Sequence, residues 1–352
     1  MRDKNIDIYR GCVMLYITCF VHLMFWMKFF GFPYKSWFII GSPASFVVAG
    51  AAFSLASPKK YLVYAKKRLY RIVRPYWMYA FVVLSILTLA HFILNADSLP
   101  TGKDVLKWTL LSGESRFPFI SSHLWYILPY ISLSLCAPFL YRLWVWTKIP
   151  AGFLVVFFLT TIFLVDQFDV KIVQIRYVLV YGLFYMLGFY YNKIKVSRKE
   201  QAAASVLLFV VGLLLYRYGG YGINMQENKF PSNVMFAVFT LFMLVTFKGL
   251  LSWACLRLYS FGAGKKIIDI YNKYVYAIYL YQSFSFLILY FVVRKLGISH
   301  TELSSWQYTL LLPVFFVYLL FSNAFLGIVM TKIEKFLFER KKRQVLPEQA
   351  RN

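Results

Sequence analysis

The chain has 352 residues, of which 60% are hydrophobic, and its mean hydropathy is +0.61. Apolar runs of membrane-spanning length recur from end to end with short polar loops between them, which excludes a soluble globular protein. The net charge of +25 does not indicate nucleic-acid binding, because the Lys and Arg residues cluster in alternate loops, as in the cytoplasmic loops of membrane proteins.

The apolar runs predict an all-α, polytopic membrane bundle of about ten spans, forming a single domain over residues 1–352. The predicted spans cover residues 11–30, 37–56, 76–94, 123–143, 149–165, 173–191, 202–216, 234–247, 274–293 and 308–330. After the eighth span, KGLLSWACLRLYSFGAGKK (residues 248–266) predicts an amphipathic helix on the inner membrane face. Residues 331–352 are predicted to form a basic tail.

The orientation follows from the densest basic segment, SPKKYLVYAKKRLYRIVRP, which comes after the second span. By the positive-inside rule this loop is predicted to be cytoplasmic, and the N-terminus, two crossings earlier, is predicted to lie on the same side. The basic run ERKKR places the C-terminus in the cytoplasm as well.

The first apolar run encloses His22, an ionisable residue of a kind that usually faces a protein interior or water and has a function there. It lies roughly 18 Å along the helix axis from Arg10. This distance places His22 in the middle or outer half of the bilayer. A histidine there can act as a general base, because imidazole takes and returns a proton near neutral pH. The alternative is a histidine that only hydrogen-bonds a neighbouring helix.

Arg10 lies near the beginning of the same run, one helical turn after Asp7. Two interpretations are open. The pair can be an interfacial ion pair that contributes little stability, or Asp7 can orient Arg10 towards a phosphate or a carbonyl group.

Arg68 and Arg71, three residues apart, are predicted to share one helix face just before the third span. Two guanidinium groups there suit a phosphorylated cytoplasmic ligand, because Arg binds phosphate oxygens in a bidentate way. The alternative is ordinary topology charge or binding of lipid headgroups.

Several segments of the chain are informative when they are taken together and in order. They are IDIYRG followed by His22, ASFVVAGAAFS, KKRLYRIVRPYW, HLWYILPYISLSLCAPFLYRL, YVLVYGLFYMLGFYYNK and YVYAIYLYQSF. In this order and at these positions they resemble the membrane-integral acyltransferase family 3, whose members transfer acyl groups to sugars of cell-surface glycans. The resemblance covers most of the chain.

This resemblance implies an enzyme that takes an acyl group, most often acetyl, from cytoplasmic acyl-coenzyme A and delivers it to a hydroxyl group. At the matching positions, His22 would be the catalytic base or an acyl relay, and Arg10 its functional partner. Arg68 and Arg71 would contact the phosphates of the donor.

Two positions depart from the family pattern. The family usually has ten residues between its Arg and His, whereas eleven separate Arg10 from His22 here, which turns the two apart by roughly 120° on a regular helix. Either the two do not act on one face, or a π-bulge near Thr18 absorbs the extra residue; we predict the bulge. The second departure is in the segment YLYQS. Relatives often carry His there, whereas this chain has Gln282, whose side chain can only form hydrogen bonds.

Three further residues are candidates for binding the sugar acceptor, namely Trp125, Tyr126 and Gln282. Trp125 stands near the beginning of the fourth span, where a Trp is more often an interfacial anchor than a platform for a sugar ring. No cluster of ligands suggests a metal ion, and the four cysteines have no metal-like spacing.

We therefore predict a multi-pass enzyme of the plasma (inner) membrane that O-acylates, and most simply O-acetylates, a surface polysaccharide or a lipid-linked sugar. The main alternative is a glycan or lipid-linked sugar transporter or flippase that uses His22 as a proton-relay site, although no paired intramembrane carboxylates support it. A non-catalytic scaffold is a third reading. The sequence leaves open the sugar position, the acyl length and the oligomeric state.

Overall fold

The computed structural model describes residues 3–29, 33–56, 60–94, 99–111, 118–191, 193, 196–298 and 304–345. Within these residues the chain is helical and has no strand, which confirms the all-α prediction. The helices are α1 (Lys4–Leu15), a π-helical segment (Tyr16–Val21), α2 (His22–Trp26), a 3₁₀ helix (Pro33–Phe38), α3 (Gly41–Leu55), α4 (Tyr61–Leu94), α5 (Gly102–Thr109), α6 (Pro118–Ser121), a 3₁₀ turn (Leu124–Tyr126), α7 (Ile127–Thr147), α8 (Ala151–Gln167), α9 (Val173–Leu187), a 3₁₀ turn (Gly188–Tyr190), α10 (Arg198–Tyr218), α11 (Met225–Lys229), α12 (Val234–Thr246), α13 (Lys248–Ser260), α14 (Gly262–Lys273), α15 (Val275–Lys295), α16 (Ser305–Leu310) and α17 (Leu312–Val345).

Eight helical stretches among the described residues are long and apolar enough to cross a membrane, and a ninth is gained if α12 and α13, bent by 62°, count as one span. Helix α8, which covers the predicted fifth span, is apolar but shorter than these. The chain is thus a polytopic, all-helical membrane protein with eight or nine candidate spans in its described part.

One boundary differs from the sequence predictions. A break at Phe261 divides the predicted amphipathic segment (residues 248–266), so that α13 buries none of its residues and the buried face belongs to α14. The predicted basic tail is helical over residues 331–345, where it continues α17. Residues 346–352 lie outside the described part of the chain.

Local sequence explains where several helices begin. Thr101 and Asp104 form a capping box at the N-terminus of α5, and Ser197 and Glu200 form another at α10. In each box two backbone N–H groups that have no partner inside the helix are satisfied by side chains.

The contacts group the chain into two compact units. The first comprises Met1–Arg68 and Tyr126–Asn272, and the second comprises Leu69–Trp125 and Lys273–Asn352. In the first unit α3 packs closely against α9, and α1 packs against α3 and α13. In the second unit α15 pairs with α17, and a short ion pair of low exposure joins Arg74 to Glu334.

A close helix crossing in the first unit depends on two glycines, Gly50 of α3 and Gly188 after α9. A Cβ atom added at Gly50 would overlap the backbone carbonyl oxygen of Tyr185, and one added at Gly188 would overlap the backbone of α3. Small residues allow this approach, which is how helices in membranes commonly associate.

We expect Gly50→Ala to destabilise the protein by about 2 kcal/mol or more, because backbone atoms cannot move aside as a flexible side chain can. The measurement is the midpoint of thermal unfolding of the purified protein in detergent. Gly152→Ala on α8 is the matched control, since an added Cβ there meets no heavy atom within 4 Å. Equal midpoints for the two variants would contradict the close crossing.

Candidate functional site

The helix that carries His22 is not regular. Residues Tyr16–Val21 form a π-helical segment between α1 and α2, and Thr18 lies inside it, fully buried. The Thr18 hydroxyl donates a hydrogen bond of 2.9 Å to the carbonyl oxygen of Met14, four residues earlier. This bond competes for the backbone of the preceding turn, as Ser and Thr side chains in helices do. The predicted π-bulge near Thr18 is confirmed.

The π-helical segment changes which residues share a face. A π-bulge accommodates one extra residue in a helix, so the rotation between Arg10 and His22 falls from roughly 120° to roughly 20°. From these angles we expect the two residues to share one side of the first span although eleven residues separate them.

Arg10 has two acceptors in the first unit. Its Nη1 lies 3.2 Å from Asp7 Oδ1, in an ion pair of helical spacing, and 3.4 Å from Asn272 Oδ1 at the end of α14. The first contact is the pair that the sequence indicates. Sequence reasoning missed the second, because Asn272 is distant in the chain and no local pattern connects it to Arg10.

His22 is partly buried and its ring stacks on the indole of Trp26. The ring centroids are 4.6 Å apart and the planes differ by 6°. Trp26 follows His22 by four residues, a spacing that places two side chains together on a helix. This spacing could have identified Trp26 from the sequence as the residue that orients the imidazole plane.

Helix α14 lies directly against the first span. Ile268 packs on Gly11 so closely that a Cβ atom at Gly11 would clash with it. Farther along, the Tyr271 hydroxyl is 3.1 Å from the thiol sulfur of Cys19, inside the π-helical segment. Because Tyr271 is fully buried, α14 supports the first span at the level of its irregular turn.

Arg68 is held inside the first unit by hydroxyl groups. Its Nη2 donates to the Tyr130 hydroxyl at 2.6 Å and to Ser134 Oγ at 3.1 Å, and its guanidinium lies over the Tyr130 ring. The Tyr130 ring stacks on Tyr126, whose hydroxyl is 2.8 Å from Ser45 Oγ. The predicted residues Arg68 and Tyr126 thus belong to one row of polar side chains on α3, α4 and α7.

Arg71 differs from Arg68 although both lie on α4. Arg71 belongs to the second unit and its side chain is exposed. An exposed guanidinium is accessible to a dissolved phosphate, whereas Arg68 already has three protein contacts.

The other two predicted residues also lie in the second unit. Gln282 is fully buried, and its Nε2 donates to the carbonyl oxygen of Tyr279 at 2.9 Å. The Tyr279 hydroxyl donates to the carbonyl oxygen of His123, and Trp125 lies two residues after that histidine, partly buried. Gln282 therefore lies in a packed polar interior, where its amide makes the hydrogen bonds that the sequence indicates.

Comparison with known proteins identifies the family. The model of the acyltransferase domain of acyltransferase family 3 matches residues 3–329. No curated protein and no solved structure matches the chain. The family match covers most of the chain, from the helix that carries Arg10 and His22 into α17. The chain therefore belongs to acyltransferase family 3 and is a membrane acyltransferase.

Proposed function

We propose that the enzyme transfers an acyl group, most simply acetyl, from cytoplasmic acyl-coenzyme A to a hydroxyl of a surface polysaccharide or glycolipid intermediate at the plasma membrane. The observation that carries the proposal is the π-helical segment, which returns His22 to the face of Arg10 in a member of an acyltransferase family.

In this mechanism His22 takes the proton of the acceptor hydroxyl as that oxygen attacks the acyl carbonyl carbon. Stacking on Trp26 limits the rotation of the imidazole, so that its ring is already oriented before substrate binds. Arg10, oriented by Asp7, is the cation at the opposite end of the same helix face and is suited to a phosphate or a developing oxyanion.

The donor is proposed to bind from the cytoplasm. Arg71 is exposed and would contact a phosphate of coenzyme A, and Arg68, beside Tyr130 in the first unit, is a second candidate for such a contact. Candidates for a contact to the acceptor sugar are Tyr126 in the first unit and, considered separately, Trp125 and Gln282 in the second. Aromatic rings pack against sugar rings, and an amide supplies hydrogen bonds to hydroxyl groups.

Two measurements, one on the purified protein and one on membranes, test this function. Acetyl-coenzyme A should raise its thermal unfolding midpoint, since a ligand that binds only the folded state stabilises it. Membranes containing the enzyme should also move a radiolabelled acetyl group from the coenzyme to base-labile esters on glycan. Two results would contradict the proposal. One is transport of glycan with no shift of the unfolding midpoint by acetyl-coenzyme A, and the other is the absence of labelled ester on glycan.

We expect Arg71→Ala to raise the KM for acetyl-coenzyme A by about tenfold, because one charge-assisted contact to phosphate is lost. The kcat should change little, since Arg71 is remote from the bond that breaks. Arg198→Ala removes another exposed arginine, at the beginning of α10, and is the control. An unchanged KM for the Arg71 variant would remove this residue from the donor site.

A further inference from the structure

A second group of reactive side chains lies at the N-terminal end of α3, apart from His22. Ser42 is the second residue of α3, and Lys229 is the last residue of α11. The Lys229 Nζ atom lies 3.4 Å from Ser42 Oγ, and both residues are buried, with exposed fractions of 7% and 9%. Both belong to the first unit. A hydroxyl beside an amine is the arrangement of Ser–Lys nucleophilic pairs.

The surrounding loop fixes Lys229 in place. The side-chain amide of Asn228 donates to the carbonyl oxygens of Gly222 and Asn224, and Asn233 donates to Asn228. The Lys229 ammonium position lies over the Phe230 ring, 4.9 Å from its centroid. These hydrogen bonds hold the backbone beside Lys229, and burial of its side chain limits the rotamers that it can adopt.

The environment of the pair favours proton transfer. Burial lowers the pKa of Lys229 to about 7, so a substantial fraction of the amine is neutral near neutral pH and can accept a proton. In the first turn of α3, Pro43 has no backbone N–H and the Ala44 N–H donates to the carbonyl oxygen of Ile40, which leaves the N–H groups of Gly41 and Ser42 without a partner inside the helix. Such groups can stabilise the oxyanion of an acyl-transfer intermediate.

The Ser42–Lys229 pair has neighbours both in the first span, which carries His22, and in the polar row that includes Arg68. Gly41, beside Ser42, packs against Ile17 of the π-helical segment, so this end of α3 touches the helix that carries His22. In the other direction, Ser45 Oγ donates to the carbonyl oxygen of Ser42 and contacts Tyr126, at the end of the polar row that includes Arg68.

We propose that Ser42 carries the acyl group as an ester during the reaction and that Lys229 is its general base. The inference rests on the proposed function, because it needs an acyl thioester as donor. Ser42 Oγ forms a bond to the thioester carbonyl carbon and gives its proton to the Lys229 amine. The carbon–sulfur bond breaks, and the coenzyme A thiolate leaves with that proton.

The second half-reaction returns the enzyme to its starting state. The acceptor hydroxyl attacks the ester carbonyl carbon and gives its proton to His22. The bond to Ser42 Oγ breaks, and the serine oxygen regains a proton, the one that His22 took from the acceptor hydroxyl, so that His22 and Lys229 both end neutral. No electrons are exchanged, and the products are free coenzyme A and the acylated sugar.

The test traps the ester in the absence of acceptor. Purified full-length enzyme is mixed with acetyl-coenzyme A, quenched in acid and digested, and the mass of the peptide containing Ser42 is measured. We expect one added acetyl group that mild base removes. Ser42→Ala should abolish this label, whereas Ser54→Ala, a buried serine in the last turn of the same helix, should retain it.

Two more variants separate the roles of the pair. Lys229→Arg keeps the positive charge but cannot become neutral, so the rate of labelling should fall by about a hundredfold. His22→Ala should still acquire the label at Ser42 and should fail to pass it to glycan. An unfolded His22→Ala variant would lose both the label and the transfer, so retention of the label alone shows that this variant is folded.

Three outcomes would overturn the inference. The first is label that persists in Ser42→Ala, and the second is label found on His22. The third is a wild-type enzyme that makes acylated glycan at its full rate while Ser42 stays unmodified. In each case the proposed function survives. A wild-type enzyme that neither binds acetyl-coenzyme A nor acylates glycan would instead overturn both proposals.

Discussion

Replacement of His22 by alanine is expected to reduce the base-labile acyl groups of the surface glycan by about a thousandfold, the effect of losing a general base. The alanine side chain cannot accept the acceptor proton, while the π-helical segment before it keeps its sequence. The measurement compares ester-linked acyl groups on glycan from cells with wild-type or variant enzyme, at matched protein level, before and after mild base.

His91→Ala is the control for this prediction, because His91 lies in α4 and packs against Phe92, outside the proposed site. Its acyl content should equal that of the wild type. If His22→Ala also gave the wild-type content, the imidazole would be structural for that product, and a transport function with a different readout would become the better explanation.

Lengthening the π-helical segment by one residue is expected to have an effect as large as loss of His22. Inserting one alanine between Cys19 and Phe20 adds a second extra residue, which turns His22 by about a further 100° from Arg10. Deleting Thr18 should instead be tolerated, because a regular helix with ten intervening residues returns both groups to one face. The insertion should therefore lose activity by about a thousandfold, and the deletion should retain most of it.

The two variants control for each other, since each changes the chain length by one residue in the same segment. Thermal unfolding midpoints establish that both fold. Thr18→Ser, which keeps the hydroxyl that bonds to Met14, should behave as wild type. Equal losses in the insertion and the deletion would mean that the facing of Arg10 and His22 does not matter for the reaction.

The arrangement around the first span explains how its irregular turn can persist. The backbone conformation of a π-helical turn is less favourable in free energy than that of an α-helical turn, so it persists where surrounding contacts stabilise it. Tyr271 of α14 contacts Cys19 within the turn, and Gly41 of α3 packs on Ile17. The segment is therefore held between two neighbouring helices of the same unit.

Several features could be predicted from the sequence because they are local. Apolar runs indicate the spans since a bilayer requires a continuous apolar length of chain. The π-bulge follows from counting residues between Arg10 and His22, because helical facing depends only on the number of residues and the turn angle. The prediction of one amphipathic helix over residues 248–266 was wrong, because it rested on the mixture of apolar and basic residues, which does not mark the break at Phe261 between α13 and α14.

Contacts between helices could not be predicted in this way. Lys229 meets Ser42 across 187 positions of sequence, and Asn272 meets Arg10 across 262. The interior of a membrane protein is about as apolar as the lipid around it, so hydropathy does not tell which face of a span meets protein and which meets lipid. The residue pattern was enough to predict the helical membrane class, the position of most spans and the irregular turn between Arg10 and His22, while the count of about ten spans compares with eight or nine candidates in the described residues. Which side chains contact Arg10 and the first span is known from the packing of the helices alone, because those pairings depend on how closely particular helices approach one another.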